Sequence, residues 1–136
     1  MRNRQAGVTL IELITVMLVV ALLGAIAIPS YRSYMIRTKR TDAKTALMSA
    51  AGALERCYTR LNSYKADDGC TAGNDYFSEN QTYKITIETP TALTFLATAT
   101  PQGTQADDTA CSNFTINQVG VKGVSGTKTV PECWGK

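Results

Sequence analysis

The sequence predicts an α+β fold in which one long, bent N-terminal helix, half of it membrane-spanning, packs on an antiparallel sheet of about three to four strands. Three patterns lead there. An apolar run extends from Val8 to Ile28, a helical periodicity resumes after Pro29 and continues to Leu61, and two-residue alternation begins at Tyr83. The expected division is a leader over 1–7 and a long helix over 8–61. The helix is apolar over 8–28 and amphipathic over 29–61; a loop over 62–82 and the sheet over 83–136 follow.

The apolar run holds about twenty residues and as a helix reaches about 30 Å, the thickness of a bilayer's hydrocarbon core. Glu12 interrupts it. A carboxylate at that depth costs on the order of 2.5–3.5 kcal/mol, so it calls for a partner or a function. The nearest basic residue is Arg4, eight positions upstream, beyond one helical turn. The expected partner therefore lies elsewhere. The alternative is a Glu12 that snorkels to the interface and does nothing.

Residues 1–7 are short, polar and basic through Arg2 and Arg4, as in a leader. An ordinary secretory signal would be cut after Ala25-Ile26-Ala27, but its apolar region runs about 7–15 residues and carries no early glutamate. Orientation has two opposed signals. Arg32, Arg37, Lys39 and Arg40 follow the span and outnumber the cations before it, against the positive-inside rule. Four cysteines beyond the span argue for an oxidising compartment there, and they are taken to govern.

After Pro29, expected to bend the helix by removing a backbone hydrogen bond, an alanine-rich stripe appears. Ala43, Ala46, Leu47, Ala50, Leu54, Cys57, Tyr58 and Leu61 share one side, with Asp42, Thr45, Ser49, Arg56 and Arg60 opposite. Small side chains permit close approach of a sheet. The Arg37-Thr38-Lys39-Arg40 cluster suits nucleic acid or lipid headgroups, but a solvated or subunit-facing surface explains it as well.

From Asn62 to Thr82 the pattern gives way to Asn, Ser, Asp, Gly and Thr, a surface loop of the kind that carries function. Asp67, Asp68, Asn74 and Asp75 offer oxygen ligands but miss the spacing of a calcium loop, and no metal is expected. The sequons at Asn80 and Asn113 are too short to weigh. Tyr83, Ile85 and Ile87 then alternate inward. After a turn at Pro90 so do Leu93, Phe95, Ala97 and Ala99, and a third strand runs from Phe114 to Val119 into a glycine-rich stretch.

The chain has 136 residues, a net charge of +3 and no histidine. That removes Ser-His and Cys-His nucleophile pairs and the commonest general base, so no enzyme and no cofactor are expected. Cys57, Cys70, Cys111 and Cys133 contain no C-x-x-C, which excludes zinc ribbons and redox dithiols; four cysteines leave three disulfide connectivities open.

The basic leader ending in Gly7, then V-T-L-I-E-L, an apolar run and Pro29, resembles the prepilin signature of type IV pilins. The resemblance implies cleavage of the Gly7–Val8 bond by a prepilin peptidase and N-methylation of the Val8 amine. It places the family's assembly glutamate at Glu12, its helix-bending proline at Pro29 and its aromatic pair at Tyr31 and Tyr34; Val8 stands where most members have phenylalanine. The distal stretches I-T-I-E-T-P-T-A-L-T-F-L-A-T-A-T-P and C-S-N-F-T-I-N-Q-V-G-V-K-G, with terminal E-C-W, are similar to PilE-type minor pilins of type IVa systems. They imply a type IV pilin fold with a C-terminal loop closed by Cys111 and Cys133. That leaves Cys57 with Cys70, a pair outside the common pattern.

The expected function is a structural pilus subunit, a minor pilin that primes assembly or joins the filament in support of motility, adhesion or DNA uptake. Its expected partners are other pilin subunits, the prepilin peptidase and inner-membrane assembly machinery; nucleic acid has no specific support. The expected location is the inner membrane, single-pass with the C-terminal part periplasmic, and then the surface pilus. Alternatives are a major pilin, a type II secretion pseudopilin and a membrane-tethered binding module.

Overall fold

The computed structural model describes residues 7–135. They form two compact units, the first ending at Met35 and the second beginning at Ile36. One helix, α1 (Leu10–Leu61), contributes to both and runs through Pro29.

In the first unit the helix is apolar on every side, and its most apolar 18-residue window has no buried residue. Val8, Leu10 and Ile26 are each about three-quarters exposed. By length and composition this helix can cross a membrane.

The second unit is built on an antiparallel meander. Strands β1 (Tyr76–Phe77), β2 (Tyr83–Thr91), β3 (Thr94–Pro101), β4 (Phe114–Asn117) and β5 (Lys122–Val124) lie in chain order. A short helix, α2 (Val130–Trp134), ends the described chain. The register pairs Ile85 with Ala99 and Ala97 with Ile116, so the alternating apolar residues share one face. That face meets the buried stripe of α1, Ala43, Ala46, Leu47, Ala50, Leu54 and Cys57, in a single core. Tyr58 and Leu61 are only partly buried at its margin. Edge-to-face aromatic pairs carry the core outward, from Tyr83 to Phe114 to Trp134 at one side and from Tyr64 to Phe95 at the other.

The fold class is the expected one with one strand more than the upper estimate, and four local expectations are corrected. β1 lies inside the segment read as a loop, and β5 lies inside the glycine-rich stretch. Strands of two and three residues are too short to display a period. The turn between β2 and β3 falls at Ala92 and Leu93 rather than at Pro90. Proline is tolerated there because the ladder shifts register between Glu88 and Thr91, where a backbone donor is dispensable. Thr91 and Thr94 close the turn through their hydroxyls, 2.7 Å apart, and leave Leu93 exposed. β4 stops at Asn117 rather than Val119, because the Asn117 carboxamide oxygen accepts from the backbone of both Val119 and Val121 and Gly120 takes a positive φ of 75°.

Candidate functional site

Gly7 and Val8 are exposed just ahead of the helix, and the leader residues before Gly7 lie outside the described residues. At the helix start Thr9 and Glu12 form a reciprocal pair. The Thr9 backbone N–H donates to Glu12 Oε2 at 3.4 Å, and the Glu12 backbone N–H donates to Thr9 Oγ1 at 3.3 Å. This is the arrangement of a capping box, in which a side chain satisfies a backbone donor that the helix leaves open. Thr9 is a neutral partner for Glu12 within one turn, and T-x-x-E is its signal in the sequence. Tyr31 and Tyr34 stand well exposed along the same helix.

In the second unit two disulfides hold the segments around the sheet. Cys57 joins Cys70 and Cys111 joins Cys133, with Cα separations of 5.5 and 5.8 Å. The first ties the loop after α1 back to that helix. The second closes the C-terminal segment, where Gly126 lets two backbones meet: its N–H donates to the Cys111 carbonyl at 3.0 Å, and a Cβ there would strike the Ala110 carbonyl. A capping box of Thr129 and Glu132 starts α2. Trp134 donates through Nε1 to the Gly123 carbonyl at 3.0 Å, and the Lys122 ammonium lies 5.0 Å from its ring centroid.

The basic cluster read from the sequence is broken up. Arg40 makes a bidentate pair with Asp108, Nε to Oδ2 at 2.7 Å and Nη2 to Oδ1 at 2.8 Å, with the Asp108 side chain wholly buried. The hydrogen bond to Asp108 raises the Arg40 pKa above its ordinary value against the opposing effect of burial. Nearby Gln105, buried, donates to the Ile36 carbonyl at 3.1 Å and to Tyr83 Oη at 2.9 Å. Sequence reasoning could not join Arg40 to Asp108, because the two stand 68 positions apart and no local pattern marks Asp108.

Asp42 also departs from expectation. Placed on the solvated side by periodicity, it is instead half-buried and accepts from the Ser78 and Thr82 hydroxyls and the Asn80 carboxamide, at 2.6 Å for Thr82 and 3.2 Å for Asn80. Burial works to raise its pKa, but the hydrogen bonds from Ser78, Thr82 and Asn80 outweigh it and hold the carboxyl below its ordinary range. Asp68 accepts from Ser63, and Asp75 faces Lys84 at 3.4 Å. Among the described residues no three acidic, histidine or cysteine side chains gather as a metal site.

Comparison with known proteins gives these features a family. Residues 2–28 match the prokaryotic N-terminal methylation motif, and residues 29–115 match the family described as type IV minor pilin ComP, DNA uptake sequence receptor. The fimbrial protein EcpC of Eikenella corrodens is 32% identical over 68 residues, which are 50% of this chain and 44% of that protein. The type IV major fimbrial protein FimA of Dichelobacter nodosus is 37% identical over 68 residues, 50% of this chain and 41% of its own length. The matched stretches thus span less than half of those relatives. Among solved structures, a type IV pilin from Shewanella oneidensis aligns with a TM-score of 0.51 at 26% identity, covering 64% of this chain and 89% of that one. The non-core minor pilin PilV of Neisseria meningitidis aligns with a TM-score of 0.55 at 26% identity, covering 70% and 91%. With the methylation motif on its apolar helix and the ComP match across most of the rest, the chain belongs to the type IV minor pilin family.

Proposed function

We propose that the chain is a minor subunit of a type IV pilus, held in the inner membrane by its apolar helix with the sheet domain in the periplasm, and then built into the filament. The observation that carries this reading is the pairing of a wholly exposed apolar helix, bearing the methylation motif, with a disulfide-stapled pilin domain. A structural rather than catalytic role follows. A prepilin peptidase cuts between Gly7 and Val8, and the Val8 amine is methylated. The new ammonium and the Glu12 carboxylate of neighbouring subunits then pair as helices leave lipid for the filament core. Attraction in that low-dielectric setting is strong, but desolvation opposes it, so the pair acts chiefly on register. Until then the Thr9 cap gives Glu12 a local partner.

Mass spectrometry of sheared filaments tests this reading. The expected result is a methylated terminus at Val8 and a trace abundance relative to the bulk subunit. A terminus at Ile28 would overturn it, and bulk abundance would make the chain a major pilin.

The description of the matched family favours a second role, DNA binding during uptake. With Arg40 committed to Asp108, the described residues offer phosphates exposed cations such as Arg37, Lys122 over Trp134, and Lys128, which faces Glu132 at 3.5 Å. Duplex binding that weakens steeply with salt and is lost on neutralising Lys122 and Lys128 would support it. Binding unaffected by salt would not.

A further inference from the structure

The apolar run ends in a short segment of different chemistry. Tyr31, Arg32 and Tyr34 follow Ile28 within two helical turns, all in the first unit and all exposed, the two tyrosines at 64% each. Around them the charge is of one sign. Between Glu12 and Asp42 the chain has no acidic residue but four cations, Arg32, Arg37, Lys39 and Arg40, and Arg40 is taken up by Asp108.

We infer that Tyr31, Arg32 and Tyr34 form a collar on the helix that holds anionic phospholipid headgroups. The inference rests on the membrane-spanning part of the proposed function. With Ile28 at the edge of the hydrocarbon core, Tyr31, Arg32 and Tyr34 lie about 4.5, 6 and 9 Å further along the helix axis. The headgroup layer reaches about 5–7 Å beyond the core on each side. Side chains on a helix lean toward its N-terminus, so Tyr34 is directed back toward that layer.

The residue types match what the layer presents. A guanidinium pairs with two oxygens of a phosphate at once, and a tyrosine ring sits at the interface with its hydroxyl free to donate to lipid oxygens. Every phospholipid carries a phosphate, so the choice among lipids comes from net charge. The acids nearest to Arg32 in the chain are Asp42, ten positions on, and Glu12, twenty positions back. A cation with no acid nearby along the helix favours a lipid of net negative charge over a zwitterionic one. The position of these cations against the positive-inside rule then has a local reason, one that holds whichever leaflet they face.

Native mass spectrometry of the full chain released from lipid nanodiscs, made with equal parts of phosphatidylglycerol and phosphatidylcholine, tests the collar by which lipids stay bound. Phosphatidylglycerol should be retained about fivefold over phosphatidylcholine, the ratio one cation at a membrane surface supports. Arg32→Gln should bring the ratio close to one, and Arg32→Lys should keep most of it. Replacing Tyr31 and Tyr34 together by phenylalanine removes donors that serve both lipids, so total retention should fall with the ratio unchanged. Arg60→Gln, in the second unit, should alter neither quantity. Equal retention of the two lipids by the wild-type chain, or an undiminished ratio in Arg32→Gln, would overturn the collar and leave Arg32 to an acidic side chain of a neighbouring subunit. A chain that fails to enter nanodiscs at all would overturn the membrane reading with it.

Discussion

The two units of this chain treat apolar side chains in opposite ways. Up to Met35 the large ones stand exposed, Leu18 at 62% and Leu23 at 63%, whereas in the second unit Leu47, Leu54, Tyr83 and Phe114 are fully buried. A helix that is apolar all round gains nothing from water and is stable only in lipid or among other helices. The sheet domain closes its own core and adds two disulfides to a domain of marginal size. The second unit thus carries the folded core, and the proposed reading gives association to the first. Substitutions should separate the two cleanly.

The largest expected effect on folding comes from the buried ion pair. Arg40→Ala leaves Asp108 charged and unpaired in the interior and should destabilise the second unit by about 3–5 kcal/mol. Leu18→Ala, by contrast, should leave that stability unchanged. Denaturant titration of the full chain in nanodiscs, followed by Trp134 emission, measures both; an Arg40→Ala midpoint equal to wild type would break the distinction.

Replacing both cysteines of a pair by serine should cost about 3 kcal/mol for either loop, whose ends lie 13 and 22 residues apart. Non-reducing peptide mapping first checks the pairing. Cys57 found joined to Cys111 or Cys133 would refute it.

Alkaline titration gives a smaller and gradual effect. Burial is the main cause that pushes Tyr64 and Tyr83 up from 10.0 to about 12. Because the folded chain holds these phenol protons more tightly than the unfolded chain, their contribution is complete below pH 10 and lost as pH rises through about 12. Tyr64→Phe should flatten that decline, and an unchanged profile would contradict its origin. The smallest effect is at the C-terminal cap, where Thr129→Ala should cost about 1 kcal/mol, seen as an earlier loss of Trp134 packing.

The same contrast explains what could be read in advance. The alanine stripe and the inward residues of β2 and β3 repeat at fixed periods, so the fold class is visible along the chain. Arg40 with Asp108 and Asp42 with Ser78, Asn80 and Thr82 are not, because each joins segments more than thirty positions apart and leaves no periodic trace. β1 and β5 exist through their neighbours in the sheet rather than through any pattern of their own. At the helix start, T-x-x-E marks the cap in the sequence, but the charge on Glu12 also calls for a cation that no local pattern supplies.

In the proposed reading, the part of the first unit in assembly turns on Glu12. Cells carrying Glu12→Gln, which keeps the side chain's shape and removes its charge, should process the chain at Gly7 and retain it in the membrane with both disulfides formed. The decisive measurement is the fraction of that processed chain recovered in sheared filaments, scored separately from cleavage. A fraction far below wild type is expected if the carboxylate pairs with a neighbour's Val8 amine. Recovery at the wild-type level would contradict this and reduce Glu12 to the local cap of Thr9.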